Sequence, residues 1–167
     1  MEEITIATPA FLANAAALLG TAPIRRLRLT AVAPNLDALL ASGALDRMLW
    51  LDLSRQQLDG THVARLANAP RLAGLRALSL ENNRITDAGV RALWAAPALA
   101  SLAYCELGNN LCTPLESMEL TPEEMSHHEW VPTAFALELE AALGPRRWGF
   151  RWADEWPPYL DVVSANP

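Results

Sequence analysis

The feature that most constrains this chain is a short apolar pattern that recurs four times at nearly constant spacing. The segments Ile24-Arg-Arg-Leu27-Arg-Leu29, Met48-Leu-Trp-Leu51-Asp-Leu53, Leu75-Arg-Ala-Leu78-Ser-Leu80 and Leu102-Ala-Tyr-Cys105-Glu-Leu107 align without gaps, and Leu27, Leu51, Leu78 and Cys105 follow one another at 24, 27 and 27 residues. Side chains of a strand alternate between its two faces, so the apolar column of each segment points to a core and the residues between point to solvent. One such unit cannot bury its own column. Stacked units can, because each covers its neighbour, and the strands then line up as a parallel sheet along one side.

The linking segments agree with this arrangement. Asp87-Ala-Gly-Val90-Arg-Ala-Leu93-Trp94 and Val63-Ala-Arg-Leu66-Ala have helical apolar spacing, with Thr86 and Thr61 as candidate caps. Asn83 and Asn110 stand just after their strands, where a side-chain amide can bond backbone groups left unpaired as the chain turns. Gln56 and Val32 replace the asparagine in the earlier copies, so those turns are expected to be less regular.

The fullest copy, Leu75 to Ile85, reads L-x-x-L-x-L-x-x-N-x-I, and the stretch Ile85-Thr-Asp-Ala-Gly-Val-Arg-Ala-Leu93 resembles the ribonuclease-inhibitor-like subclass of leucine-rich repeats. Leu72 to Leu80 is similar to the "L-A-G-L-R-x-L-x-L" units of long bacterial members. The resemblance covers residues 24–112, and it departs from the pattern at Val32 and Pro34 and at Cys105 and Cys112 in apolar columns. It implies an α/β fold, a short solenoid with a parallel sheet of about four strands and outer helices. It also implies a binding scaffold, since the family has no shared catalytic site.

A stack of repeats exposes apolar surface at both ends and needs caps. Residues 1–23 are expected to form an N-terminal capping helix, Pro9 to Leu19, with Thr8 as its cap and Gly20 as its stop. This segment also resembles a leader seen before "A-P-I-R-R-L-R-L" strands in some bacterial repeat proteins. Residues 113–167 read as an acidic, Trp-rich C-terminal cap or partner-binding extension. Within it, Thr121-Pro-Glu-Glu124 has the form of a helix start, and Thr133 to Leu143 of a second helix ended by Gly144-Pro145. Trp148, Phe150 and Trp152 alternate as in a strand, and Trp156-Pro-Pro-Tyr159 reads as stiff extended chain.

With the leucines turned inward, the alternating residues define a concave surface: Arg26, Arg28 and Thr30; Trp50, Asp52 and Ser54; Ala77, Ser79 and Glu81; Tyr104, Glu106 and Gly108. Trp, Tyr and Arg are the residue types that most often dominate binding energy. Arg26, Arg28, Trp50, Asp52, Ser79, Glu81, Tyr104 and Glu106 are therefore the candidate partner-binding residues, joined by Trp152, Trp156 and Tyr159 of the C-terminal region. The plainer alternatives are that Arg28 and Asp52 merely pair across strands and that the aromatics are cap core.

Other chemistry finds little support. His127-His128-Glu129 invites a metal reading, but adjacent residues on a helix point about 100° apart, and Cys105 and Cys112 belong to core columns. There is no Gly-rich phosphate loop, no G-x-S-x-G elbow and no H-E-x-x-H helix, so neither a catalytic residue nor a cofactor is expected. Residues 111–167 carry three Arg against ten acids, within a net charge of −6, which argues against nucleic-acid binding through phosphates. No apolar run approaches the roughly 20 residues of a membrane span. An acidic start without a secretory pattern and only two cysteines point to the cytoplasm. The expectation is a non-catalytic adaptor or subunit of a larger assembly binding a protein partner. The alternatives are a small metal-dependent or enzymatic module in the C-terminal third, or a structural remnant of a longer repeat array.

Overall fold

The computed structural model describes residues 2–120, 128–146 and 148. Strands and helices alternate as β1 (Glu2–Ala7), α1 (Thr8–Thr21), β2 (Ile24–Thr30), α2 (Leu36–Ala41), β3 (Trp50–Asp52), α3 (Gly60–Ala67), β4 (Ala77–Ser79), α4 (Asp87–Ala95) and β5 (Tyr104–Glu106). Short 3-10 turns at Ala33–Asn35, Pro70–Leu72 and Pro97–Leu99 join helices to strands. The five strands form one parallel sheet in sequence order, so the protein is of the α/β class.

The register of this sheet follows the recurring pattern. Leu27 pairs with Leu51, Leu51 with Leu78 and Leu78 with Cys105. Leu27, Leu51, Leu53, Leu78 and Leu80 are completely buried, in one core with Leu39, Val63, Leu66, Val90 and Leu93 from the helices. Burying each leucine stabilises the fold by roughly 1.5–3 kcal/mol before chain entropy is counted. The helices pack in succession, α1 on α2, α2 on α3 and α3 on α4, so they form a second layer on the leucine side of the sheet.

The N-terminal segment corrects the expectation of a capping helix alone. Residues 2–7 form strand β1, which pairs with β2 through Ile4 and Leu27, Thr5 and Arg28, and Ile6 and Leu29. The sheet thus has five strands instead of about four. The period-two alternation of Ile4 and Ile6 with Glu3 and Thr5 is the signal, and the helix that follows at once draws attention away from it. Thr8 is buried and does not cap α1; its hydroxyl donates to the Thr30 carbonyl at 2.8 Å and so ties the start of α1 to the end of β2.

Two other caps also differ. Asp59, not Thr61, caps α3, accepting from the backbone N–H of Thr61 at 3.0 Å and of His62 at 3.3 Å. The Thr61 hydroxyl and the His62 ring hold the Asp59 carboxyl well below the usual carboxylate range. Thr86 precedes α4 without capping it through its side chain. By contrast α5 (Ala134–Leu143) forms where a helix from Thr133 to Leu143 is expected, with the Thr133 side chain as its cap, and Gly144, at a φ of 81°, ends it in a conformation that other residues rarely adopt.

The turns leaving β2, β3, β4 and β5 repeat the same strained step. Ala31, Arg55, Asn82 and Asn109 all have φ between 53° and 59°, a left-handed conformation that turns the chain sharply away from the sheet. The asparagine that follows repairs the backbone bonding. Asn83 Oδ1 accepts from the N–H groups of Gln56 at 3.0 Å and Leu58 at 2.9 Å, while its Nδ2 donates to the carbonyls of Leu53 at 3.0 Å and Leu80 at 2.9 Å. Asn110 does the same one unit later, accepting from Ile85 N–H at 3.0 Å and donating to Leu80 and Leu107 carbonyls at 2.9 and 2.8 Å. Gln56 stands in more weakly, with one acceptor bond to Val32 N–H at 3.3 Å.

Beyond β5, an antiparallel hairpin of β6 (Glu116–Leu120) and β7 (His128–Pro132) leads into α5. The helix expected to start at Thr121 lies outside the described residues, and His128 and Glu129 stand on a strand and not on a helix. Helix α5 packs on α4. Arg91 pairs with Glu138 at 2.9 Å and lies over the Phe135 ring at 5.0 Å, and the ion pair holds the Glu138 carboxyl below its ordinary range. Trp94 is fully buried and donates through Nε1 to the Gly144 carbonyl at 2.8 Å. Buried Trp148 rests against it with ring centroids 5.1 Å apart, and Arg146 Nε donates to the Trp94 carbonyl at 2.7 Å. Phe150 and Trp152, read as continuing a strand from Trp148, lie outside the described residues, as do Trp156 and Tyr159.

Removing the amide at Asn83 takes the side-chain partner from one buried N–H group, that of Leu58, from the part-buried N–H of Gln56 and from the Leu53 carbonyl of the preceding unit. Asn83→Ala is expected to destabilise the protein by about 3 kcal/mol, against less than about 1 kcal/mol for Gln56→Ala, in urea unfolding followed by circular dichroism.

Candidate functional site

Because the leucines of β2 to β5 face the helices, the residues alternating with them share the opposite face of the sheet. The register sorts them into rows. Arg26, Trp50, Ala77 and Tyr104 are successive partners across the strands, and Arg28, Asp52, Ser79 and Glu106 form the next row. Strand β1 adds register positions that the repeat pattern did not reveal, Glu3 beside Arg26 and Thr5 beside Arg28.

The first row is aromatic and cationic. The Arg26 guanidinium stacks over the Trp50 ring at 5.4 Å, and both Arg26 Nε and Trp50 Nε1 are buried, so this end of the row is packed and not splayed into solvent. Tyr104, two strands away, is half-buried and donates its hydroxyl to Glu106 Oε2. Between them stands Ala77, the one small side chain of the row.

The second row corrects the expectation that all its members are exposed. Asp52 is 2% exposed and Ser79 is 9% exposed. Asp52 accepts from Arg28 Nε at 2.5 Å through one oxygen and from Ser54 N–H at 2.9 Å through the other. Its burial follows from that pairing, since the neighbouring arginine lies across it while keeping half of its own side chain in solvent. Asp52 thus positions Arg28, Ser79 is covered, and Arg28 and Glu106 are the charges at the two ends of the row.

The acids gather at the far side, Glu81 just past the end of β4 and Glu106 at the β5 end of the second row. Glu81 is held by Asn82 Nδ2 at 2.7 Å, and Glu106 by Gly108 N–H at 2.9 Å. A side chain at Gly108 would meet Glu106 Oε1 at 2.9 Å and Glu81 Cγ at 3.6 Å, so the glycine leaves room for the Glu106 carboxylate and for the Glu81 stem beside it. The face therefore runs from Arg26 and Arg28 on β2 to Glu81 and Glu106 beside β4 and β5.

Of the residues expected to bind a partner, the structure gathers Arg26, Arg28, Trp50, Asp52, Ser79, Glu81, Tyr104 and Glu106 on this one face. Trp152, Trp156 and Tyr159 lie outside the described residues. Cys105 and Cys112 are half-buried against the core; burial pushes the Cys105 thiol well above its ordinary range, with Glu106 and Cys112 adding to it, and burial raises Cys112 as well. Among the described residues no group of three or more His, Cys, Asp or Glu is placed to hold a metal ion, and no helix is long and apolar enough to cross a membrane.

No protein-family model matches this chain, and no curated protein matches it.

Two outcomes follow from the geometry. Arg28→Ala strips a buried carboxylate of its charged partner and is expected to cost about 2 kcal/mol, with Asp52→Ala similar and the double variant less than the sum, as a coupling in a double-mutant cycle. Because burial keeps both thiols protonated, Cys105 and Cys112 should react with a thiol reagent at pH 8 far more slowly in the native protein than in urea, read by absorbance.

Proposed function

We propose that this chain is a short leucine-rich-repeat solenoid of the ribonuclease-inhibitor-like subclass. It acts as a non-catalytic adaptor in a bacterial cytoplasm, holding a protein partner on the open face of its sheet. The observation that carries this reading is the row Arg26, Trp50, Ala77 and Tyr104, set on adjacent strands in one register and flanked by opposite charges. Strands position side chains rigidly, and pre-ordered aromatic and arginine side chains lose little freedom when a partner arrives. The packing of α5 and Trp148 against α4 supports a capping role for the start of the C-terminal region.

Five strands at about 4.8 Å spacing give a face only ~19 Å across, small for a tight complex. A stable partner therefore extends onto the C-terminal region, where Trp152, Trp156 and Tyr159 supply further aromatic contacts. The partner is a protein and not nucleic acid or membrane, and the chain works alone or as one subunit of a larger assembly.

Affinity capture of the tagged protein from its own cells tests this, run beside a folded Trp50→Ala, Tyr104→Ala double variant. One protein retained by the wild type and lost with the double variant is the expected result. Retention unaffected by the double variant removes the face from the function, and retention of nothing by either form removes the adaptor reading.

A further inference from the structure

The open face carries enough order to state which chemistry it recognises, given the reading above that a protein partner sits there. We infer that it binds an extended protein segment lying across the strands, with an acidic residue, an aromatic residue and a basic residue at alternate positions: acidic-x-aromatic-x-basic, in either chain direction.

The spacing comes from the sheet. Arg28 on β2 and Glu106 on β5 are three strand steps apart, so ~14 Å separates the basic from the acidic end at about 4.8 Å per step. An extended peptide advances about 3.3 Å per residue and turns every second side chain to the same side, so residues 1, 3 and 5 of a segment span ~13 Å on one face. That matches the distance between the ends.

The centre comes from Ala77, which lies one row over from Arg28 and Glu106, two residues or ~6.6 Å along the strand, a step the central aromatic side chain covers by leaning along β4. Trp50 and Tyr104 flank it on β3 and β5, two strand steps or ~10 Å apart, and the methyl group between them leaves a notch. Aromatic rings pack with centroids about 4.5–7 Å apart, so one ring entering over Ala77 lies in range of both neighbours.

The ends are set by charge. At β2, Arg28 is fixed by Asp52 through Nε at 2.5 Å while half of its side chain remains exposed. Its two remaining amino groups are those that take a carboxylate in the paired geometry arginine favours. At the other end, the Glu106 carboxylate and the Glu81 stem lie side by side at Gly108, which gives this end two acids and a negative charge. A segment with one sign of charge at both ends meets a like charge at one of them, so the face selects against it.

The test is an NMR chemical-shift titration of the full-length protein with capped peptides, read at the amides of β2 to β5. The peptides are Glu-Ser-Phe-Ser-Lys, its Glu-Ser-Phe-Ser-Glu and Lys-Ser-Phe-Ser-Lys counterparts, and Glu-Ser-Ala-Ser-Lys. The mixed-charge Phe peptide should bind about tenfold more tightly than either like-charged peptide. Arg28→Gln should abolish its advantage over the doubly basic peptide, and a Glu81→Gln, Glu106→Gln double variant its advantage over the doubly acidic one. The second variant leaves the Arg28–Asp52 pair intact, so it serves if Arg28→Gln unfolds. Equal affinity for all charge patterns, equal affinity for the Ala peptide, or binding by none overturns the inference. A partner captured by the wild type and lost with the Trp50→Ala, Tyr104→Ala variant would still uphold the broader reading in that case, so the two failures are told apart.

Discussion

The structure depends on the amide of Asn83, and of Asn110 one unit later, reaching back across a turn to the unit before it. The three-residue strands keep their lateral bonds a little beyond their ends, as from Leu53 N–H to Ser79 and from Arg55 N–H to Glu81, but past the left-handed residue the next N–H groups leave the ladder. A buried, unpaired backbone group costs about 1–3 kcal/mol. One asparagine side chain, with two donors and an acceptor, answers several such groups at once and binds two units together while doing so. The leucine columns supply the driving force, but a column of leucines alone has no preference for where the chain turns. The amide sets that place.

From this follows the character of the other face. Since turns and leucines fix each strand in register, side chains that face away from the helices are brought into rows without having to contact one another for stability. The rows are nonetheless tied down. Asp52 is buried under Arg28, Glu106 receives the Tyr104 hydroxyl and the Gly108 N–H, and Arg26 stacks on Trp50. Charged side chains held in this way have already lost their rotational freedom, so what they present to a partner is an ordered pattern of sign and shape. The polarity of that pattern, basic at β2 and acidic toward β5, comes from which residue occupies the outward position of each unit. The repeat itself leaves those positions free to vary.

The ends of the sheet obey a different rule. At the N-terminal side the chain adds a strand before its helix, so α1 packs beside β1 and β2 and the Thr8 hydroxyl joins the two layers. At the other side the last helix of the stack is covered by α5, with an arginine bridging to Glu138 and a tryptophan bonded to the backbone where α5 ends. The repeat pattern is silent about both ends, because its signal is periodic and the end segments occur once.

The sequence by itself determined the parallel units, their register, the inward leucines, the place of Asn83 and Asn110 and the identity of the outward rows, because all of these follow from local alternation repeated at 24 and 27 residues. It also marked α5 and its stop at Gly144-Pro145, through a helical run ended by a glycine suited to a positive φ. Only the tertiary structure decided that residues 2–7 are a fifth strand, that Asp59 and not Thr61 starts α3, that Asp52 and Ser79 are buried, and that the Glu106 carboxylate and the Glu81 stem share the space at Gly108. Each of those depends on a neighbour 20 or more residues away, or on a competition between adjacent polar groups, and neither leaves a period in the chain. A repeat states which way a side chain points; what it touches there is settled by the unit packed beside it.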